Sequence, residues 1–401
     1  MEGTWLCKGI KQKVGVDKML NKLCRYVRRC IIILIKWVMP VFPIKKDQIC
    51  FMNFYGRGFG DNPKYICEEL HRQYPELKLY WLSNKEDGIP QYVKYVRFRS
   101  LKSYYILATS RVWVDNVRFS KGVHKKSGQY YIQTWHASHS QKRLEHEAED
   151  KIGKLYIRQA KRDGKITDLM ISNSKMQSED FRNNFWYKGE IMECGAPRND
   201  FLISNKNNTF VATEIKRKLG ILDDRKIILF APTFRDNEDN SYYALDFKLL
   251  KQAAEKHYNQ QCVVLVRWHP NVADRTQNIK FVNGVINVSE WPDMQELILI
   301  CDLLITDYSS SIFDAMIIDK EVVIYAPDLE EYNQTRGLRD FFWKLPFPIY
   351  ETQQIMFDEL PTYHSDVSLI ERFQDWYGSY DKGNASSTVA QRIGNVIQRS
   401  L

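Results

Sequence analysis

The sequence predicts an α/β protein of two doubly wound domains that face each other across a cleft. Three observations carry this expectation. Short apolar runs alternate with amphipathic stretches along most of the chain. The runs are continuously apolar, as in parallel strands covered by helices on both faces. The strand–helix–strand series occurs twice, and 401 residues suffice for two cores of ordinary size.

Residues 1–46 precede the first strand. They carry eleven Lys or Arg residues, from Lys8 to Lys46, against Glu2 and Asp17, an excess that equals the net charge of +9 of the whole chain. The apolar run "CIIILIKWVMPVF" (Cys30 to Phe42) is broken by Lys36. It is too short for a spanning helix, which needs about 20 apolar residues. It ends in "MPVFPIKK", without the small-residue site of a cleaved signal. A basic segment with Trp37 beside an apolar run fits a helix lying on an anionic membrane surface. The plain alternative is a packing helix with a solvated basic face. Eight scattered cysteines with no C-x-x-C pair read as reduced thiols.

The first series, residues 47–195, opens with the strand "QICFMNF" (Gln48 to Phe54). A glycine-rich turn follows, then a helix that Asp61 or Asn62 could cap. "LKLYWLS" and "YVKYVRF" read as strands, "LKSYYILATS" as a helix and "RVWVDNV" as a strand. "QYYI" is a strand that leads into "QTWHASHS" (Gln133 to Ser140), and Gln141 to Arg162 reads as a charged helical stretch. "TDLMISNS" and "EIMEC" are strands either side of the helical "KMQSEDFRNNFW". The second series, residues 196–365, holds strands at "RKIILFAPTF", "QCVVLVRWHP", "VINVS", "DLLITDYSS" and "EVVIYAPD", with helices between them. Residues 366–401 form a partly helical tail that could pack back across the domains.

In open parallel sheets ligands bind beyond the carboxyl ends of the strands. Those ends read "WHASHS", "GAPRND", "APTFRD", "VRWHP" and "TDYSSS". Their shared preference for His, Arg, Thr and Ser suits phosphate. Ser309, Ser310 and Ser311 at a helix start can form an anion site, although serine caps helices everywhere. Arg267 and His269 alternate with Trp268, so on extended backbone they share one face. Thr233, after Pro232, could reach a phosphate or ribose. Arg198 stands on a turn built by Gly195 and Pro197. His136 is placed to take a proton from an attacking hydroxyl, with a buried core histidine as the even alternative. Gly56, Gly58 and Gly60 do not give G-x-G-x-x-G and require only a flexible turn at the cleft. His136 and His139 are i, i+3 but no third zinc ligand is evident.

Five motifs in order, "QTWHASHSQK", "GAPRNDFL", "APTFRD", "VRWHP" and "LLITDYSSSIFDAMIIDKEVVIYAPDLEEYNQTRG", resemble the CDP-glycerol glycerophosphotransferase family, which builds teichoic acids and related polyol-phosphate polymers. The resemblance implies a GT-B architecture, with the nucleotide on the second domain, and peripheral attachment to the cytoplasmic face of the cell membrane. It implies His136 as general base and His269 as a second catalytic residue, on the diphosphate. It implies a CDP-glycerol site lined by Arg198, Pro232, Thr233, Arg267, Ser309, Ser310 and Asp314, with Trp135, Ala137, Ser138, His139, Ser140 and Trp268 beside it. The family usually reads W-H-G-T-P where this chain reads W-H-A-S-H, a change in the loop around the base.

The implied reaction is attack by a hydroxyl of a lipid-linked saccharide or polyol-phosphate acceptor on the β-phosphorus of CDP-glycerol, or of CDP-ribitol, with CMP leaving. Arg267, His269 and the helix start at Ser309 would stabilise the diphosphate. No obligatory cofactor or metal is expected, and a modest Mg²⁺ dependence is compatible. The rivals are a nucleotide-sugar glycosyltransferase on the same fold and a non-catalytic binder. Nucleic acid is not an expected partner, because the basic excess is N-terminal and adjoins an apolar run.

Overall fold

The computed structural model describes residue 34 and residues 38–119, 124–235, 241–269, 272 and 281–398. Most of the basic segment assigned above to a membrane surface therefore lies outside the described residues. No helix among the described residues is long and apolar enough to cross a membrane.

The first domain is built on seven parallel strands: β1 (Lys45–Met52), β2 (Lys78–Ser83), β3 (Lys94–Arg97), β4 (Ser110–Asp115), β5 (Tyr130–Gln133), β6 (Leu169–Ser172) and β7 (Glu190–Glu193). Their order is β3-β2-β1-β4-β5-β6-β7, so the chain starts in the middle and winds outward both ways. The helices are α1 (Asp61–Gln73), α2 (Leu101–Thr109), α3 (Lys154–Ile166) and α4 (Lys175–Asn183). Alternate residues of β1 serve opposite layers: Ile49 and Phe51 one apolar cluster, Cys50 and Met52 the other. Trp113 on β4 is fully buried, and its indole N–H donates to the Leu107 carbonyl at 2.8 Å. Truncating such a side chain to alanine costs about 3–5 kcal/mol.

The second domain contains α5 (Asn199–Asn205), α6 (Thr209–Lys218), β8 (Lys226–Phe230), α7 (Phe247–Tyr258), β9 (Cys262–Val266), β10 (Val285–Asn287), α8 (Met294–Ile300), β11 (Leu303–Thr306), α9 (Ser311–Ile317), β12 (Glu321–Tyr325), α10 (Leu329–Arg336), β13 (Ile349–Tyr350) and α11 (Gln353–Glu359). Its parallel sheet runs β10-β9-β8-β11-β12-β13. Two doubly wound, Rossmann-like domains thus face a common cleft, the GT-B arrangement. The tail forms α12 (Val367–Tyr377) and α13 (Ala385–Gln398). Phe373 and Tyr377 of α12 join the second core, whereas Val389, Ala390 and Ile393 of α13 join the first, where α13 lies against α1.

One stretch departs from its expected form. Gln141 to Arg162 reads as helical in the sequence, but α3 begins only at Lys154. The first of the preceding residues pair with the second domain instead, and residues 144–152 close short local turns. Arg143 N–H donates to Gly337 and Gln141 C=O accepts from Arg339. The buried Arg118 guanidinium also draws Glu145 and Asp163 to itself. Gly337 is required there: its φ is +72°, and a Cβ would stand 2.9 Å from Arg143 Cδ.

Candidate active site

The ends of β1, β5, β8, β9, β10 and β11 meet around a cavity of about 320 Å³ between the domains. Asn53, Phe54, Arg57, Asp61 and His136 contribute from the first domain. Arg198, Pro232, Thr233, Arg267, Trp268, His269, Asp293, Gln295, Ser309–Ser311 and Asp314 contribute from the second. Eleven candidate site residues, His136 from the first domain and ten from the second, therefore line one cavity. Trp135, Ala137, Ser138, His139 and Ser140 do not line it.

His136 follows Trp135, whose φ of +53° is unusual for a bulky residue and turns the chain sharply after β5. Its Nδ1 is 2.7 Å from the Asn116 carbonyl oxygen. A carbonyl only accepts, so Nδ1 carries the proton and Nε2 keeps its lone pair. Burial, together with the charges of Arg198, Lys142 and His269, pushes the His136 pKa down to about 4, against the pull of the Asn116 carbonyl. His269 is also held at about 4, by burial and by Arg57, Lys142 and Arg267, with Asp307 opposing. Both rings are neutral near pH 7, in a cleft rich in positive charge.

Arg198 spends its N–H groups inside the protein. Nε and Nη2 bind Asp314 at 3.0 and 3.2 Å, Nη2 also binds Ser138 Oγ at 2.9 Å, and Nη1 binds Asp61 at 3.1 Å and the His136 carbonyl at 2.9 Å. Burial opposes the guanidinium charge, but Asp314 and Asp61 outweigh it and raise the Arg198 pKa. Ser138 Oγ donates to Asp314 at 2.6 Å, and Gln295 donates to the same carboxylate. Arg198 and Asp314 thus clamp the His136 loop to the second domain.

Arg267 is different. Its Nη1 donates to the Trp291 carbonyl at 2.7 Å, and no other side-chain hydrogen bond of the guanidinium occurs among the described residues. Burial lowers its pKa despite Asp293 and Glu290. Trp268 points the other way, into the core against Phe230, Tyr243 and Phe247, as strand alternation requires. Thr233 gives its backbone N–H to Asp307 and accepts from Arg235 at its hydroxyl, so Asp307 orders this loop. Ser309 Oγ accepts from the Ser311 N–H at 3.2 Å, just ahead of α9. Asp293 binds Lys64 at 2.6 Å and Tyr65 at 2.7 Å across the cleft.

His139 lies among rings instead, 4.5 Å from Phe341 between centroids, with Nδ1 2.9 Å from Asp180. Burial lowers its pKa, with Asp180 opposing. Trp135 packs on Phe185, and Ser140 Oγ donates to the Lys142 carbonyl. Of the W-H-A-S-H departure, His139 is thus absorbed by packing away from the cavity, while Ser138 joins the Arg198–Asp314 clamp. Sequence reasoning missed Arg57, which sits in the glycine-rich stretch set aside as a flexible turn. It also missed Asn116, which acts through its backbone, and Lys142, whose charge reaches both cavity histidines.

The family model described as CDP-glycerol:poly(glycerophosphate) glycerophosphotransferase matches residues 31–395. A teichoic acid poly(glycerol phosphate) polymerase of Staphylococcus epidermidis is 32% identical over 89% of this chain and 51% of its own length. The chain thus spans about half of that relative. A teichoic acid glycerol-phosphate transferase of Staphylococcus aureus is 32% identical, over 87% of this chain and 93% of that one. The solved structure of the wall teichoic acid polymerase TagF, H444N variant soaked with CDPG, is similar with a TM-score of 0.84 and 29% identity, covering 98% of this chain and 99% of that one.

Proposed function

Since the chain belongs to the CDP-glycerol:poly(glycerophosphate) glycerophosphotransferase family, we propose that it transfers glycerol phosphate from CDP-glycerol to a hydroxyl of a lipid-linked acceptor in the synthesis of teichoic acid or a related polyol-phosphate polymer. The observation that carries this reading is the pairing, in one cavity, of a histidine with a defined lone-pair nitrogen and an arginine with unspent N–H groups.

In this reaction the acceptor oxygen attacks the β-phosphorus, and its proton passes to Nε2 of His136. The bond from the β-phosphorus to the bridging oxygen breaks, and CMP leaves with that oxygen. Arg267, Arg57 and the Ser309–Ser311 turn stabilise the diphosphate charge. Burial first, and then the positive charge of the cleft, holds both histidine pKa values down. An anionic donor offsets that charge, so His136 becomes a stronger base when the donor is bound. The protein supplies the cations. The carboxylates Asp61, Asp293 and Asp314 are engaged by Arg198 or Lys64, which favours transfer without an obligatory metal.

Attachment to the cytoplasmic face of the membrane fits the basic residues before Lys46. It also fits the outer face of α3, where Lys154, Arg158, Lys161 and Lys165 are exposed beside Leu155. The deciding experiment is CMP release from CDP-glycerol and from CDP-ribitol, with lipid-linked saccharide acceptors and with or without EDTA. Release from CDP-glycerol that survives chelation is expected. Release from CDP-ribitol alone would reassign the donor, and none from either would sink the reading.

A further inference from the structure

Strands β1, β4 and β5 lie side by side in the first sheet, with Asp115 of β4 opposite Gln133 of β5. Beyond their carboxyl ends stand Asn53, Asn116 and His136 in turn. The start of α1, Asp61 and Asn62, lies over these ends and meets Arg198 of the second domain.

Asn116 is fully buried, and each of its polar atoms is engaged. Its N–H donates to Asp115 Oδ1 at 2.8 Å, and its carbonyl accepts from His136 Nδ1 at 2.7 Å. Its Oδ1 accepts from the Phe54 N–H at 2.9 Å. Its Nδ2 donates to Asn53 Oδ1 at 2.7 Å and to Asp61 Oδ2 at 3.1 Å. A residue held at every polar atom cannot swing its carbonyl, so the imidazole that donates to it is held as well.

Asp61 carries the connection out of the first domain. Its Oδ1 accepts from Arg198 Nη1 at 3.1 Å, and the same Nη1 donates to the His136 carbonyl at 2.9 Å. Arg198, Asp61, Asn116 and His136 therefore form a closed circuit of hydrogen bonds. Arg198 is itself anchored in the second domain by Asp314. Beside the circuit, Asn62 donates to the Trp135 carbonyl and accepts from the Arg198 N–H, both at 3.1 Å. Asp61 keeps this place at a φ of +55°, a left-handed conformation that Asp tolerates better than most residues.

We infer that Asp61 and Asn116 are positioning residues of the reaction: through Arg198 they pass the docking of the second domain to the ring of His136, so that the base is aimed when the cleft is closed. The inference rests on the proposed transfer and adds what sets its base. Both residues act through the imidazole, and a misplacement of about 1 Å at a reacting group costs about 10²-fold in rate.

The test compares the full chain with Asn116→Asp, Asp61→Asn and the two together, each checked for folding by a thermal melt. Asn116→Asp sets two carboxylates face to face, and Asp61→Asn two amide N–H groups. The pair restores a donor against an acceptor and keeps the net charge. Asn53 can turn its amide to meet the new carboxylate, since its other side-chain hydrogen bond, to the Gly58 carbonyl, is 3.3 Å long. Each single change should lower kcat about 10–100-fold and leave the donor KM within about twofold. The pair should recover most of the loss. An unchanged kcat in the single variants, or a pair no better than either, overturns the inference.

The imidazole gives a second reading that needs no turnover. With isotope-labelled histidine, the His136 ring N–H is identified by its absence from His136→Gln. It should stay on Nδ1 at neutral pH in every variant. Its exchange with water should quicken about tenfold in the single variants, as a local opening, and slow again in the pair. It should also quicken in Arg198→Lys, where the changed side chain reaches the His136 carbonyl but not its ring. Exchange unaltered in the single variants overturns the inference whatever kcat does. Exchange unaltered in Arg198→Lys alone would show that the first domain sets the base by itself, and overturns the coupling to closure. If wild type releases no CMP, only the proposed reaction falls, and the exchange rates still decide the circuit.

Discussion

Nδ1 of His136 lies 2.7 Å from the backbone oxygen of Asn116, and that contact decides which ring nitrogen is basic. Because the partner is backbone, the tautomer survives any side-chain change at residue 116. Replacing His136 with glutamine should lower kcat by about 10²–10⁴-fold, the usual worth of a positioned base, and leave CDP-glycerol binding intact. Isothermal titration beside CMP release measures both. An unchanged kcat would remove His136 from the reaction.

The same ring predicts a pH profile. With a pKa of about 4 before the donor arrives, His136 stays a free base well below neutrality. The acid limb of kcat/KM, which reports the free enzyme, should therefore fall near pH 4. The limb of kcat should lie at higher pH, since a bound diphosphate favours the imidazolium. Equal limbs near the ordinary histidine value of about 6.5 would contradict this.

Arg267→Ala should raise the CDP-glycerol KM by about 10–100-fold, the loss of one or two charge-assisted contacts of about 1.5–3 kcal/mol. The melting temperature should barely change, because only one hydrogen bond, to Trp291, is spent in folding. Donor KM and a thermal melt on the same preparation check the pair of outcomes.

Arg198→Ala should behave the other way. It strands Asp314 and Asp61 in a buried site and should cost about 3–5 kcal/mol of stability, read by urea denaturation. Arg198→Lys should rescue only part of this, since an ammonium cannot reproduce the forked contacts. A loss as small as that of an exposed pair, at most about 1 kcal/mol, would show that the clamp is not holding the domains.

His139→Phe should keep turnover and lose about 0.5–1.5 kcal/mol of stability at neutral pH, the worth of the His139–Asp180 contact alone, because Asp180 keeps Arg339 at 2.8 and 2.9 Å. The deficit should shrink in acid. Wild-type His139 has a folded pKa below its unfolded value, so the unfolded chain binds more protons as pH drops below about 6.5 and wild type is destabilised there. The phenylalanine variant has no such proton to gain. A deficit that grows with acid would reverse the assignment.

Much of this was legible in the sequence, and the exceptions have a common cause. Continuous apolar runs located the strands, and Arg-Trp-His after β9 placed Arg267 and His269 on one side and Trp268 on the other by alternation alone. What the sequence could not show was which polar groups were already committed. Arg198 and Asp314 look like ligand-binding residues in their motifs, but they find each other across 116 positions. The 141–153 stretch has a helical composition, yet Gln141 and Arg143 pair their backbone with another domain and the rest closes short turns. Arg57 was hidden by the glycines around it.

The last helix gives the chain an unusual connectivity. Since α13 supplies Val389, Ala390 and Ile393 to the core that β1 begins, the second domain is in effect an insertion within the first. A cut between β7 and α5 would yield no autonomous N-terminal half, because that piece would lack a strip of its own interior. Co-expressing residues 385–398 with it should restore solubility.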